Sequence, residues 1–395
     1  MRFRHPDGST IHLAYCTNVH PAEDLAGVRR MLHDHAEPVR RCLGRKTLGI
    51  GLWLSHHVAR TLIEDTAALH DLKTDIHSRG LEVVTLNGFP YQGFGDRAVK
   101  YRVYRPDWTQ SERGKHTLDL AHLLTVLLPD DVIEGSISTL PLAWRHPFGP
   151  ERARTARRAL AALSEQLDAM DRRTGRSIRV GLEPEPGCVV ETTAQAVDAL
   201  TAPGAPPHHR VGVCIDTCHL ATQFEDPATA VDHLLDAGIP IVKAQLSAAL
   251  HADDPHLPSV TQALATYAEP RFLHQTRALT PDGTIHGTDD LDHALTGHSP
   301  LPVSGPWRCH FHVPLHAPPE PPLTSTMPVL RDTLARLLGG PSPLTRHLEV
   351  ETYTWQALPT PVRPTDPGQL AAGIAAELAL VRDHLIDLGL KEEVE

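Results

Sequence analysis

Lysine is scarce in this 395-residue chain. Only a handful of its 37 basic residues are Lys, and 48 acidic residues outnumber them, for a formal charge of −11. A deficit of positive charge argues against non-specific nucleic-acid binding, which relies on Lys and Arg facing phosphates. Cysteine is sparse too. The six (Cys16, Cys42, Cys188, Cys214, Cys218 and Cys309) lack paired zinc-finger spacing, and a disulfide framework is not expected in a chain this long, so reduced core thiols are the expectation. Long apolar runs are missing. Met1-Arg-Phe-Arg-His-Pro-Asp-Gly holds no apolar leader and no later run is long enough to span a bilayer, so a cytoplasmic protein without membrane insertion is expected. Internal repeats are absent as well. Pro (35) and His (27) are in excess, and coding bias accounts for most of the histidines.

What is there is an alternation of short apolar runs with helical stretches, the pattern of βα units around a parallel sheet. Strands are expected near 11–17, 47–55, 81–87, 134–140, 178–184, 211–216, 240–246, 307–313 and 347–353. Helices are expected at 22–42, 57–79, 112–128, 151–173 and 192–201, with an amphipathic closing helix over 369–388. The length suits one barrel with long loops, or two ordinary domains. Nine strands are one too many for a closed (β/α)8 barrel. One solution makes 347–353 the eighth barrel strand and 307–313 an added element. Segment 248–306, rich in His, Asp, Pro and Thr with little periodicity, then reads as a long excursion. It and 314–345 are expected as loop or insert regions over the C-terminal face of a single barrel domain spanning 1–395.

Four apolar runs end in acidic or imidazole groups: Leu182-Glu-Pro-Glu-Pro186, Val213-Cys-Ile-Asp-Thr-Cys-His219, Cys309-His-Phe-His312 and Leu348-Glu-Val-Glu-Thr352. Buried parallel strands that deliver ligands at their C-terminal ends look like this, and α/β barrels keep their chemistry there. Glu183 and Glu185 share parity and point to one face, as do His310 and His312. Asp216 closes a strand and His219 follows within the first turn. A lone Glu at a strand end is more often a surface or cap residue, and a lone His is often a satisfied core residue. Four strand ends that agree are harder to dismiss. They point to one divalent metal ion (Mn, Co, Zn or Mg), with no organic cofactor expected.

Glu at one strand end, Asp-x-x-His at the next and a final Glu-Thr resemble the xylose isomerase-like TIM-barrel superfamily of sugar isomerases, epimerases and endonuclease IV. Leu13-Ala-Tyr-Cys-Thr-Asn18, Thr85-Leu-Asn-Gly-Phe-Pro-Tyr91, Tyr104-Arg-Pro-Asp-Trp108, Glu134-Gly-Ser-Ile-Ser-Thr-Leu-Pro141 and Leu182-Glu-Pro-Glu-Pro186 resemble a narrower group, the bacterial "metabolite traffic protein EboE" family. The superfamily resemblance implies an eight-stranded barrel with metal ligands at Glu183, Asp216 and Glu351. The usual fourth ligand, a His, falls on Gln245 in Lys243-Ala-Gln-Leu-Ser247. That is a departure, and either the Gln carbonyl oxygen or His310 and His312 would complete the set. The Asp216–His219 string is also similar to endonuclease IV, but the early-strand positions read Asn87 and Ser138-Thr139, with no His.

The function expected is a metal-dependent isomerase or epimerase of a sugar, sugar phosphate or cyclitol, with a role in small-metabolite synthesis or export implied by the narrower resemblance. Glu183 and Glu351 would take and return a proton next to a carbonyl, with His219 beside the metal or substrate. Candidate substrate contacts are Asn18, Asn87 and Glu185, an aromatic wall from Tyr15, Trp53, Phe89, Tyr91, Tyr353 and Trp355, lid residues Arg271 and His274, and Lys243, read either as a phosphate or hydroxyl binder or as a barrel lysine paired with Asp216 or a Glu. The partner is a small polyhydroxylated substrate, and the sequence leaves room for a homo-oligomer. Two other functions fit the same barrel: a small-molecule carrier without chemistry, suited by Gln245, and a phosphoester hydrolase that would hold more than one metal.

Overall fold

In the computed structural model, which describes residues 1–297 and 299–393, the strands in chain order are β1 (Arg2–Arg4), β2 (Thr10–Cys16), β3 (Leu48–Trp53), β4 (Leu81–Asn87), β5 (Glu134–Thr139), β6 (Ser177–Leu182), β7 (Val211–Asp216), β8 (Ile241–Leu246), β9 (Leu250–Ala252), β10 (Thr276–Leu279), β11 (Ile285–Thr288), β12 (Trp307–Cys309), β13 (Thr324–Ser325), β14 (His347–Val350) and β15 (Lys391–Glu392). Eight of them, β2 to β8 and β14, pair in parallel around a ring that closes where β14 meets β2, with Leu348 opposite Leu13 and Val350 opposite Tyr15. A TIM barrel results. The run at 347–353 supplies the eighth strand. The run at 307–313 supplies β12 in a separate antiparallel sheet ordered β11-β10-β12-β9-β13.

Barrel strands alternate between an outer face under the helices and an inner face, the period-2 consequence of the pleat. The outer set (Leu13, Ile50, Leu52, Ile137, Val180, Val213, Leu348) is buried and apolar. The inner set is polar. Low in the barrel, His347 Nδ1 lies 2.7 Å from Ser136 Oγ, which reaches Thr85 Oγ1 at 2.8 Å. One layer up, Lys243 pairs with Glu349, both wholly buried. Gly51 makes room for that pair: a Cβ there would stand 1.5 Å from Glu349 Oε1. The carboxylates of the upper cup come next. Beneath the barrel, β1 lies antiparallel to both β2 and β15.

The expected helices appear with adjusted ends. The stretch 57–79 divides into His56–Glu64 and Thr66–Ser78, because Asp65 is extended and its side chain accepts from Ala68 N at 2.9 Å, an N-cap that starts a second helix. Pro150–Thr174 ends at Gly175, whose φ of 68° suits a residue without Cβ. The closing helix, Pro367–Asp387, buries Glu377, which accepts from Leu315 N, Thr352 Oγ1 and Trp355 Nε1 and so ties the segment after β14 to that helix.

The excursion is more ordered than its sequence suggests. It holds β9, β10 and β11 of the five-stranded sheet with short helices at Pro258–Ala265 and Leu291–Leu295, and 314–345 contains β13 and the helix Met327–Leu338. All six cysteines are free thiols, five of them buried. Among the described residues no helix is long and apolar enough to cross a membrane.

Candidate metal centre and cup

Three barrel strands deliver the acidic floor. Glu183 follows β6, and its amide is held by Thr139 O at 3.0 Å. Asp216 ends β7 and caps the turn behind it: Oδ1 accepts from Cys218 N (2.7 Å), His219 N (2.9 Å) and Ser247 Oγ (2.8 Å). Glu351 follows β14, and its Oε1 accepts from Asn18 at 2.6 Å and Asn87 at 2.8 Å. Each of the three carboxylates offers an oxygen within 4.8 Å of the others. The remaining atoms are the informative ones. Glu183 Oε2, Asp216 Oδ2 and both amide atoms of Gln245 are buried with no hydrogen-bond partner, a state buried polar groups rarely tolerate. Burial, then the neighbouring carboxylates, push Glu183 and Glu351 well above the usual carboxylate range. A cation at this spot would relieve both problems, so the residues fit a metal ion.

Imidazoles form the adjoining wall. His219 comes from the turn after β7, while His310 and His312 descend from the segment after β12. His219 Nε2 lies 3.0 Å from His310 Nε2, which is 3.2 Å from His312 Nε2. Their far nitrogens are each anchored: His219 Nδ1 to Pro184 O (2.9 Å), His310 Nδ1 to Gln275 Oε1 (2.7 Å) and His312 Nδ1 to Glu351 O (2.5 Å). Behind His310 a relay runs outward. Gln275 Nε2 donates to Tyr104 Oη (2.7 Å), and Tyr104 donates to Glu185 Oε1 (2.7 Å).

Above this polar floor the cavity, about 510 Å³ with its mouth, is walled by Phe94, Val99, Val103, Phe272 and Leu273. Phe94, Phe272 and Tyr353 pack on one another with ring centroids 4.9–5.6 Å apart. A dry cover over a polar floor strengthens every electrostatic interaction inside it.

Of the residues picked out by sequence, Asn18, Asn87, Phe89, Glu183, Glu185, His219, His310, His312, Glu351 and Tyr353 line this cavity. Several others do not. Lys243 is paired with Glu349 one layer below and is not among the lining residues. Tyr15 sits at the outward parity, since its neighbour Cys16 faces Asn87 Nδ2 inside at 3.3 Å. Trp53 donates its indole N–H to Pro90 O at 2.9 Å and backs Phe94. Tyr91 stacks on His56, away from the cup, and Trp355 donates to Glu377. Arg271 donates to Phe94 O at 3.0 Å and covers the Phe272 ring, bracing the cover from outside. His274 bridges His310 O and Glu269, pinning the segment that carries His310. Gln245 stays beneath the cup, outside the lining. Tyr104, Gln275 and Phe272 were not singled out as site residues. The only signal for them was proximity, Gln275 and Phe272 flanking His274 and Tyr104 heading a family-like string.

Carboxylates and imidazoles thus gather over the C-terminal ends of the parallel strands, the face on which such barrels keep their chemistry. The family profile described as "Xylose isomerase-like TIM barrel" matches residues 44–271, more than half of the sequence, and the chain belongs to that family. No curated protein matches it. The fold is similar to that of an Anabaena variabilis protein provisionally assigned as a sugar phosphate isomerase/epimerase, at 13% identity over 96% of this chain and 100% of that one, with a TM-score of 0.52. It is also similar to the D-allulose 3-epimerase of Methylomonas sp., at 11% identity over 95% of this chain and 98% of that one, with a TM-score of 0.50. At such identities the likeness concerns the fold.

Proposed function

We propose that this protein is a metal-dependent isomerase or epimerase that moves a proton next to a carbonyl in a small sugar or cyclitol. The observation that carries the reading is the joint presence of Glu183 and Glu351 in one cavity lining, with the buried Asp216 beside them and each of the three carboxylates offering an oxygen within 4.8 Å of the others. Glu183, Asp216 and Glu351 would hold the ion, with Gln245 or the imidazoles completing the set. When bound, the ion supplies Lewis-acid polarisation of the carbonyl and its neighbouring hydroxyl. Glu183 and Glu351 serve as base and acid for the carbon-bound proton. Asn18 and Asn87 fix one oxygen of Glu351 and leave the other for the proton. The apolar cover keeps bulk water from the carbanion that proton removal creates.

The lining favours an unphosphorylated substrate over a sugar phosphate. Among the described lining residues Lys100 is the one Lys or Arg, and it is paired with Asp290. The strings that resemble the "metabolite traffic protein EboE" group place Asn18, Asn87 and Phe89 in the cavity. That supports a part in the synthesis or export of a small metabolite, acting in the cytoplasm. A second reading, phosphoester hydrolysis, is favoured by the three facing imidazoles, and hydrolysis of bis(4-nitrophenyl) phosphate would reveal it.

The test is deuterium incorporation from D₂O into a panel of ketopentoses, ketohexoses and cyclitol ketones, with Mn²⁺ or Co²⁺ supplied. Uptake at carbon next to the carbonyl, reduced roughly 100-fold or more in Glu183→Gln and Glu351→Gln, supports the reading. Folded, metal-bound protein that exchanges nothing across the panel would sink it and leave a carrier.

A further inference from the structure

Glu185 stands apart from the three carboxylates that would hold the ion. Pro184 and Pro186 flank it and restrict the backbone on both sides. Its N–H donates to Val190 O and its carbonyl accepts from Cys188 N, both at 3.1 Å, so the side chain is aimed from a fixed turn. That side chain is 5% exposed and lines the cavity. Two donors hold one of its oxygens: Oε1 accepts from Tyr104 Oη at 2.7 Å and from Gln275 Nε2 at 3.3 Å. Such bonds favour the ionised carboxylate. Among the described residues nothing donates to the other oxygen, Oε2, and no Lys or Arg pairs with the group. The neighbouring rings turn their Nδ1 atoms elsewhere, His219 to Pro184 O and His310 to Gln275 Oε1.

A buried carboxylate without a cationic partner is costly until a positive group meets it. The rest of the lining leaves that role to the ligand. Lys100, the one Lys or Arg among the described lining residues, is paired with Asp290. Aromatic rings share the cavity with Glu185: Tyr353, Phe89 and Tyr104, the last two meeting edge to face with centroids 6.2 Å apart. Ring faces attract cations, more strongly where water is excluded. A sugar hydroxyl could donate to Oε2 as well, but it brings no charge and leaves the burial of the carboxylate uncompensated.

We propose that the ligand of this cup carries a protonated amine, as an amino sugar or aminocyclitol does, and that Glu185 receives the ammonium through Oε2. Glu185 is then a specificity-determining residue, separate from the Glu183 and Glu351 pair assigned to the carbon-bound proton. The inference rests on the proposed function in taking the cup as the site of a small polyhydroxylated molecule, and it adds the charge that molecule bears.

The experiment is calorimetry on full-length, Mn²⁺-loaded protein at neutral pH with matched ligands: D-glucosamine against D-glucose, and scyllo-inosamine against scyllo-inositol. N-Acetyl-D-glucosamine serves as the uncharged control. Each amine is expected to bind about tenfold or more tightly than its hydroxyl parent, the gain of a hydrogen bond between charged groups over a neutral one. The acetylated sugar should bind no better than glucose. Glu185→Gln keeps an acceptor for Tyr104 and should shrink the amine preference to about twofold or less. An amine can also bind the ion directly, so the wild type is measured again after chelator treatment, where the preference should persist. Equal affinities within the pairs, no binding by either amine, a preference that survives Glu185→Gln, or one that vanishes with the metal overturns the proposal. The two readings fail separately. Deuterium exchange into neutral ketoses without an amine preference defeats this inference alone, and an amine preference without exchange defeats the isomerase reading alone.

Discussion

Gln275 Oε1 accepts a hydrogen bond from His310 Nδ1 at 2.7 Å, and that contact decides which nitrogen of the imidazole faces the cup. Replacing Gln275 with Leu removes the acceptor and frees the ring to take its other tautomer. Co²⁺ affinity is expected to fall about 10- to 100-fold, the usual effect of losing a partner behind a metal-binding His, with the unfolding temperature little changed. Unchanged Co²⁺ affinity by calorimetry would show that His310 is not held for a metal.

The buried Lys243–Glu349 pair supports the cup from below. Lys243→Met leaves Glu349 charged and unpaired in the barrel axis, and a cost of about 3–5 kcal/mol is expected in urea unfolding. Lys243→Met/Glu349→Leu should recover much of it, because neither charge is then buried alone and Leu fits the space that Gly51 leaves open. A single change costing under about 1 kcal/mol would mean that the pair is solvated.

Glu377 gives the fold a pH dependence of known sign. Burial raises its pKa to about 7 from an ordinary 4.5, against hydrogen bonds from Thr352, Leu315 and Trp355. Between those values the folded protein keeps a proton that the unfolded chain has released, so stability falls as pH rises through the window. The loss from pH 4 to pH 8 is about 3 kcal/mol at most. Glu377→Gln should gain on the wild type by that order over the same range in urea unfolding. A constant difference at every pH would contradict the assignment.

Phosphate should confer no advantage. With Lys243 and Lys100 each paired to a carboxylate, a ketose phosphate should compete for the cup no better than its unphosphorylated parent. Tighter binding of the phosphate in calorimetry, by tenfold or more, would point to a cation that the geometry leaves unassigned.

The barrel was legible because its strands are buried on both faces and read as short apolar runs, each cut off by a charged or turn-forming residue. Glu183, Asp216 and Glu351 were legible for the same reason: the chemistry sits where the runs stop. Parity would have removed Tyr15, whose neighbour Cys16 points inward, and pairing of Lys243 with a barrel carboxylate was one of its two readings, but no local signal names Glu349 as the partner across 106 residues of sequence. The second sheet was hidden for a related reason. Its strands are two to four residues long, and β9 finds β12 through pairs such as Leu250 with Cys309, a separation that no periodicity records. His310 and His312 were picked out as a pair, while Gln275, which orients His310, lies in another segment, and Tyr104 behind it was quoted only as the head of a family-like string.

Metal content per chain, measured on untagged protein by elemental analysis beside Glu183→Ala/Asp216→Ala, tests the central claim most directly. The account predicts at least one tightly held divalent ion in the wild type and a clear loss in the folded variant, since Glu183 and Asp216 are two of the three carboxylates that would hold it. Equal metal in the two proteins, or none in either, would contradict a metal centre and leave the acidic strand ends as a cup for hydroxyl groups alone.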